Sequence, residues 1–377
     1  MSNNKFIQIC VIGEIEGNVN ADEVVGQRAT IKKFITREGI YPFVSSRAIK
    51  KGIKAALEMR GYEIDPFHSQ YGTGKEKTRG DSGDFVKYVD QDIFGYMIPE
   101  EDPKKRKAPV EISYFVSLFP IPITVEFAGR FPKGPDPQPF EIEQARFLGK
   151  FYANIYNYIG IIHQEEIKKD ILENIGGKLK EARIRKEENG RVIEKSYGRY
   201  YEDEKREQKL RDLLEILLTG NFKLPRSTNQ LNQGFYKYVV VCFTKSLKPL
   251  PSFVTIKYQK ERQYEVVKKE ENDKVIEKII ERSDEGYMLD WEKIKEFEGM
   301  LENGEKIFVI DFVGNLKEVK ERNDGGEKKE KTETKVIRPS NIKEEIIEKL
   351  KDLIDLNDFE YYLRYYGGWS GSGEDSQ

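Results

Sequence analysis

The chain has 377 residues, room for roughly two to three domains or for one domain enlarged by insertions. A formal net charge of -2 argues at first sight against a polyanionic partner, and two histidines, His68 and His163, with no nucleophile or carboxylate pattern beside them argue against a catalytic triad. Cys10 and Cys242 lie far apart in apolar runs and match no metal spacing, so buried reduced thiols are expected. No arginine-rich presequence, signal-peptide core or long apolar run is present, which leads us to expect a soluble, cytoplasmic protein with no membrane partner.

In chain order, Phe6–Ile12 is a nearly continuous apolar run and reads as a central strand that ends in a polar loop, Glu14–Asn20. Residues 21–41 carry Arg28, Lys32, Lys33 and Arg37 with few apolar anchors and read as loop. Pro42 disfavours helix before it, and Ser45 and Ser46 are N-cap residues opening a helix from Ser45 to Leu57. At about 100° per residue, Ile49, Ile53, Ala56 and Leu57 share one stripe, and Arg47, Lys50, Lys51 and Lys54 share another. From Arg28 to Lys54 the cations Arg28, Lys32, Lys33, Arg37, Arg47, Lys50, Lys51 and Lys54 face only Glu38. A helix start with free amides, serine hydroxyls and then a cationic rail suits a phosphate backbone; a solvated charged face is the plainer alternative.

Residues 61–107 read as an irregular insertion ending in the cluster Lys104-Lys-Arg-Lys107, with Asp90 and Asp92 forming an acidic turn rather than a metal site. Val110–Phe119 is a strand broken by Pro120 and Pro122, followed by an extended piece at Thr124–Ala128. Pro132, Pro135, Pro137 and Pro139 make the stretch from Gly129 to Phe140 a projecting loop or hairpin tip, or else a plain surface loop. It carries Arg130, Phe131, Lys133 and Phe140, with Arg146 just beyond; apolar side chains beside cations can wedge into a stacked single strand. Phe147–Ile162 is a third strand, Glu202–Leu218 a helix with the stripe Leu210, Leu213, Leu214 and Leu217, and Tyr236–Phe243 a fourth strand. The order is strand, helix, strand, strand, helix, strand. It gives an α+β fold with an RRM-like (ferredoxin-like) core, although no base-stacking signature of RRM type appears.

Beyond Pro251 the sequence predicts a charged hairpin (Tyr264–Glu281), a helix (Asp290–Leu301), a strand (Lys306–Phe312) and a low-complexity stretch (Val319–Lys335). A final amphipathic helix (Asn341–Leu356), an aromatic patch (Phe359–Tyr366) and a disordered tail (367–377) close the chain. The expected division is 1–260 for the core with its insertions, 261–366 for a charged α/β extension that completes or flanks it, and 367–377 for the tail.

The segment Phe43-Val-Ser-Ser-Arg-Ala-Ile-Lys-Lys-Gly-Ile-Lys54 resembles the first-helix motif of the backbone subunit of type I CRISPR Cascade complexes. Asn20-Ala-Asp-Glu-Val-Val-Gly-Gln-Arg28, Asp92-Ile-Phe-Gly-Tyr96 and Lys105-Arg-Lys-Ala-Pro-Val110 follow the order seen in the DevR-type, subtype I-B-like branch of the RAMP superfamily. The resemblance implies an RRM-like palm, a large fingers insertion at about 61–107 and a projecting thumb hairpin at about 129–146. It further implies a non-enzymatic subunit without cofactor or metal that polymerises along guide RNA (crRNA) and presents it to target DNA. Its partners would be the guide RNA, the target strand through the guide, other copies of itself and other Cascade subunits. The residues expected at the RNA are Arg28, Lys32, Lys33, Ser45, Ser46, Arg47, Lys50, Lys51, Lys54, Lys105, Arg106, Arg130, Phe131, Lys133, Phe140 and Arg146. Two other readings stay open: a type III-like subunit that cleaves RNA with Asp22, expected in the loop after the first strand, and a DevR-type nucleic-acid-binding regulator. A regulator that reads base edges would want Asn, Gln and Arg variety that the rail lacks.

Overall fold

The apolar run at the start of the chain becomes strand β1 (Phe6–Gly17), central in a large, mostly antiparallel sheet of a mixed α+β fold. The computed structural model describes residues 3–17, 21–25, 28–71, 78–99, 103–127, 141–163, 166–175, 180–188, 191–200, 203–224, 233–271, 274–316 and 334–356. The chain divides into two compact units, Met1–Lys248 with Glu302–Gln377, and Pro249–Leu301. The boundary expected at 260 falls inside a strand, Ile256–Glu271.

In the larger unit the main sheet includes β1, β2 (Arg28–Ile31), β3 (Lys33–Thr36), β4 (Gly39–Val44), β5 (Val110–Ile112), β6 (Phe115–Ser117), β7 (Glu141–Tyr156), β8 (Gln233–Thr244), β9 (Lys306–Asp311) and β10 (Lys335–Ile337). The main path across the sheet is β10-β9-β8-β1-β7-β6-β4-β3, with β5 and β2 also pairing with β7. Helices α1 (Ser46–Met59), α2 (Val89–Phe94) and α3 (Asp203–Thr219) fall between these strands. β1 runs antiparallel to β7, from Phe6 opposite Tyr156 to Gly17 opposite Ala145, and antiparallel to β8 on its other side. Taking β1, β5/β6, β7 and β8 as first to fourth along the chain, the order in space is fourth, first, third, second. α1 precedes the second, and α3 precedes the fourth.

Alternation on β1 sends Ile7, Ile9 and Val11 into one core with Val239, Val241 and Phe243 of β8. Ile49, Ile53 and Leu57 of α1, and Leu210, Leu213, Leu214 and Leu217 of α3, join the same core, as their helical spacing predicts. Gly52 permits the closest approach, because a Cβ there would stand 2.5 Å from the Lys223 carbonyl oxygen that follows α3. Arg60, at the end of α1, donates to Asp212 of α3 at 2.7 Å and to Glu215 at 3.1 Å.

Several expectations are corrected. The polar loop expected from Glu14 is strand as far as Gly17, since residues 14–17 continue β1 against β7. Residues 21–41, expected as loop, form the strands Ala21–Val25, β2, β3 and the start of β4, so Asp22 lies in a strand. β2 needs few apolar anchors of its own, because the backbone of a distant strand pairs with it: it runs parallel to β7, with Arg28 opposite Glu141 and Ala29 opposite Ile142, while Ala21–Val25 pairs with β2 and β3 pairs with β4. The strand expected at Val110–Phe119 is split at Ser113 and Tyr114, where Ser113 Oγ accepts the Tyr152 amide at 2.9 Å. The third strand starts at Glu141, six residues before Phe147, and its first residues pair with Thr124–Phe127. Residues 61–107 and the segment after 161 enclose a small core of their own, with Phe85, Tyr96, Ile98, Ile162, Ile167 and Ile175 buried together.

A hairpin pair missed in the sequence spans Lys180–Glu188 and Arg191–Tyr200. The final helix is broken into a 3-10 turn at Pro339–Asn341, a π-helical stretch at Lys343–Ile347 and a short α turn at Leu350–Leu353. Arg211 donates from the side to the Ile347 and Glu348 carbonyls there, which competes with the regular ladder. In the smaller unit the hairpin is longer than predicted, Ile256–Glu271 against Lys274–Leu289, and the helix is shorter, Trp291–Glu298. The projecting tip (128–140), most of the low-complexity stretch (317–333), the aromatic patch and the tail lie outside the described residues. Among the described residues no helix is long and apolar enough to cross a membrane.

Candidate nucleic-acid interface

Strand β4 runs directly into α1, and Ser45 makes the junction. Its backbone is extended (φ -69°, ψ 150°) and its hydroxyl accepts the Ala48 amide at 3.3 Å, an N-cap that the sequence foresees. Ser46 follows as the first helical residue, half-buried, and no acidic residue occupies the first turn. The apolar stripe of α1 is buried as Ala48, Ile49, Gly52, Ile53, Ala56 and Leu57, which turns the cationic stripe away from the core.

The four cations of that stripe are not equivalent. Arg47 and Lys51 are exposed, with no ion-pair partner among the described residues. Lys54 donates to Asp90 Oδ2 at 2.5 Å, and Asp90, itself buried, also accepts the Asp65 amide at 2.9 Å. Lys54 is therefore the counter-ion of a buried carboxylate and ties α1 to α2. Lys50 is half-buried with its ammonium 5.1 Å from the Phe94 ring centre; burial, then the Lys54 charge, pulls its pKa below the usual lysine value.

Around the start of β7 each expected cation meets a glutamate. Arg28 Nε donates to Glu141 Oε2 at 2.7 Å. Lys33 donates to Glu143 Oε2 at 2.6 Å, and that buried carboxylate also accepts the Ile31 amide at 3.1 Å. Arg146 pairs with Glu14, whose other oxygen lies 3.5 Å from Lys237 Nζ. Burial raises the pKa of Glu14, but the hydrogen bond from Arg146 and the charge of Lys237 outweigh it, so the carboxyl titrates below its usual range. Val25, Arg28, Thr30, Glu141 and Glu143 line one open hollow here.

Lys32 is half-buried, and Lys105 is exposed on a two-residue strand with Arg106. Arg106, expected at the RNA, is instead sealed inside the protein. Its Nη2 lies 2.6 Å from Asp92 Oδ1, its Nε donates to the Asp92 carbonyl at 3.0 Å and its guanidinium lies over the Phe85 ring at 5.5 Å. Gly95 makes room for it: with φ 71° it adopts the left-handed backbone, and a Cβ would stand 2.3 Å from the Arg106 carbonyl oxygen. Arg130, Phe131, Lys133 and Phe140 lie outside the described residues.

One feature escaped the sequence reading. Phe34 of β3, Phe43 of β4 and Tyr114 cluster with nearly parallel rings beside the root of α1. The hairpin register, with Phe34 opposite Tyr41 and Lys33 opposite Pro42, places Phe34 and Phe43 as diagonal neighbours. Had residues 33–44 been read as a hairpin, that alternation would have found them.

A family model described as "CRISPR-associated negative auto-regulator DevR/Csa2" matches residues 19–281. Among solved structures, one described as "CRISPR RNA-guided surveillance complex" is similar at 12% identity with a TM-score of 0.42, covering 83% of this chain and 91% of that one. Another, "CRISPR RNA-guided surveillance complex, pre-nicking", is similar at 10% identity with a TM-score of 0.37, covering 63% of this chain and 75% of that one. No curated protein matches.

Proposed function

The chain belongs to the DevR/Csa2 family of CRISPR-associated proteins, and from that premise we propose that it is the guide-RNA-binding backbone subunit of a type I Cascade complex. On this reading copies polymerise along the crRNA and present it for pairing with target DNA, beside other Cascade subunits, in the cytoplasm and without chemistry of their own. The observation that carries it is α1: a capped helix whose buried face fixes its orientation and whose outer face offers Arg47 and Lys51 to solvent. Cations of this kind hold phosphates without reading sequence, as a protein that accepts any guide must.

The sheet supports the finer architecture. A fourth-first-third-second order with helices before the second and fourth strands is that of an RRM-like (ferredoxin-like) palm. The fingers would be about 61–107, and the thumb about 129–146. Thr124–Phe127, exposed throughout and antiparallel to the start of β7, forms with it the two arms from which such a thumb would project. Of the expected C-terminal extension, β9 and β10 add to the palm sheet beside β8.

Co-purifying the protein from its host and sequencing the bound RNA tests the proposal. Repeat-derived guides are expected. Random RNA or none would reduce the protein to a generic binding module, and metal-dependent RNA cutting abolished by Asp22→Ala would move it to the type III-like reading.

A further inference from the structure

Three rings stand at the surface where β3, β4 and the β5–β6 junction meet. Phe34 and Phe43 have centroids 4.3 Å apart with planes 16° from parallel; Phe43 and Tyr114 are 5.1 Å apart at 15°; Phe34 and Tyr114 are 6.3 Å apart at 27°. Phe34 is 41% exposed and Tyr114 46%. A single exposed apolar side chain is ordinary, but a contiguous set of them marks a place where something binds.

Charge and ring orientation identify the occupant. Of the cations in the segment that supplies Phe34 and Phe43, Arg28, Lys33 and Lys54 are paired with Glu141, Glu143 and Asp90, while Arg47 and Lys51 stand exposed with no ion-pair partner among the described residues, so the positive charge open to a polyanion lies on α1. Phe43 is joined through Val44 and the Ser45 cap to the helix that bears Arg47 and Lys51. Rings held nearly parallel present flat π faces in one orientation, which suits another flat ring system. Aromatic faces interleaved with backbone-holding cations are how proteins grip single strands irrespective of sequence.

We infer that Phe34, Phe43 and Tyr114 form a stacking platform for unpaired bases of a single-stranded RNA whose phosphates run to the α1 rail. The inference rests on the RNA-binding reading above and adds a contact to the bases themselves, one that tolerates any base because every base has a π face.

The test uses the full-length protein, the double variant Phe34→Ala/Tyr114→Ala, and two oligonucleotides of equal length and charge, oligoadenylate and its abasic counterpart. The wild type is expected to bind oligoadenylate about tenfold or more tightly than the abasic chain, and the variant to lose that preference. The salt dependence of abasic binding, the circular dichroism spectrum and the elution volume are expected to stay unchanged. Equal wild-type affinity for the two oligonucleotides, or a variant that keeps the preference, overturns the platform and leaves the backbone-binding function standing. A variant altered only in self-association assigns the rings to contacts between copies and also overturns it. A wild type that binds neither oligonucleotide removes the RNA-binding reading itself, and the platform with it.

Discussion

Arg106 Nη2 lies 2.6 Å from Asp92 Oδ1 with both side chains sealed from solvent, and Lys209 of α3 reaches the other Asp92 oxygen at 2.9 Å. The Gly160 amide donates to Asp92 Oδ1 at 2.9 Å, so one carboxylate joins α2, α3, the strand that carries Arg106 and the turn after β7. Removing Arg106 leaves Asp92 with Lys209 as its counter-ion but takes away the donor that Arg106 offers to the Asp92 and Ile161 carbonyls, and breaking a buried pair of this kind costs roughly 3 to 5 kcal/mol. Arg106→Gln is therefore expected to lower unfolding stability by about 3 kcal/mol in urea titrations. Lys105→Gln, one residue away and exposed, should stay within about 0.5 kcal/mol of wild type. Equal stabilities for the two variants would contradict the buried assignment.

The contrast shows what the sequence could carry. α1 and α3 were legible because each stripe is local: Ile49, Ile53 and Leu57, or Leu210, Leu213, Leu214 and Leu217, repeat at helical spacing within a few turns. Arg106 was not legible, because Lys104-Lys-Arg-Lys107 looks like surface charge until Asp92 and Lys209 meet it in space. Lys54 shares the spacing of Arg47 and Lys51, yet Asp90 takes it out of the rail. Strand β2 is not legible because its pairing partner, β7, and its salt-bridge partner, Glu141, lie far along the chain; β3 pairs locally with β4, yet its Lys33 is taken up by the equally distant Glu143. Periodicity reports which face is buried and says nothing about which charge is already paired.

The rail prediction follows from that inequality. Each phosphate contact adds about 0.7 to the slope of log affinity against log salt for a single strand. Arg47→Gln with Lys51→Gln should flatten the slope by about 1.4 while circular dichroism is unchanged. Lys54→Gln should act mainly on stability, since it strands the buried Asp90 carboxylate. A slope that falls with Lys54→Gln and not with the Arg47/Lys51 pair would sink this ranking.

Glutamates already occupy the cations around the start of β7, so RNA must compete with them. Glu141→Gln leaves Arg28 without its 2.7 Å partner, and Glu14→Gln does the same for Arg146 and Lys237. Both variants are expected to bind single-stranded RNA more tightly, by about two- to fivefold, because an exposed pair is worth at most about 1 kcal/mol. The salt slope should steepen by up to about 0.7 for each cation freed. Weaker binding or an unchanged slope in both variants would mean that these cations never reach the RNA.

The last prediction concerns acid. Burial raises the Asp212 pKa, but hydrogen bonds from Tyr62, Gln208 and Arg60 outweigh it, leaving the carboxyl below its usual range. For Glu207, burial likewise raises, while hydrogen bonds from Lys351 and Arg211 and their charges bring the net below the usual value. Asp92 follows the same pattern, with burial opposed by the charges of Lys209 and Arg106. In each case the folded-state pKa is depressed, so the unfolded chain binds the proton more readily. The stability these groups contribute is fully present above the ordinary carboxylate value of about 4, and it is lost as pH falls through the depressed folded values. Asp212→Asn removes the grip on Tyr62 and Arg60 at neutral pH. Urea titrations from pH 7 to pH 2.5 should show wild type more stable than Asp212→Asn at pH 7, with the gap closing as Asp212 becomes protonated. A gap that widens toward low pH would reverse the sign of the linkage and show that Asp212 is held neutral in the fold.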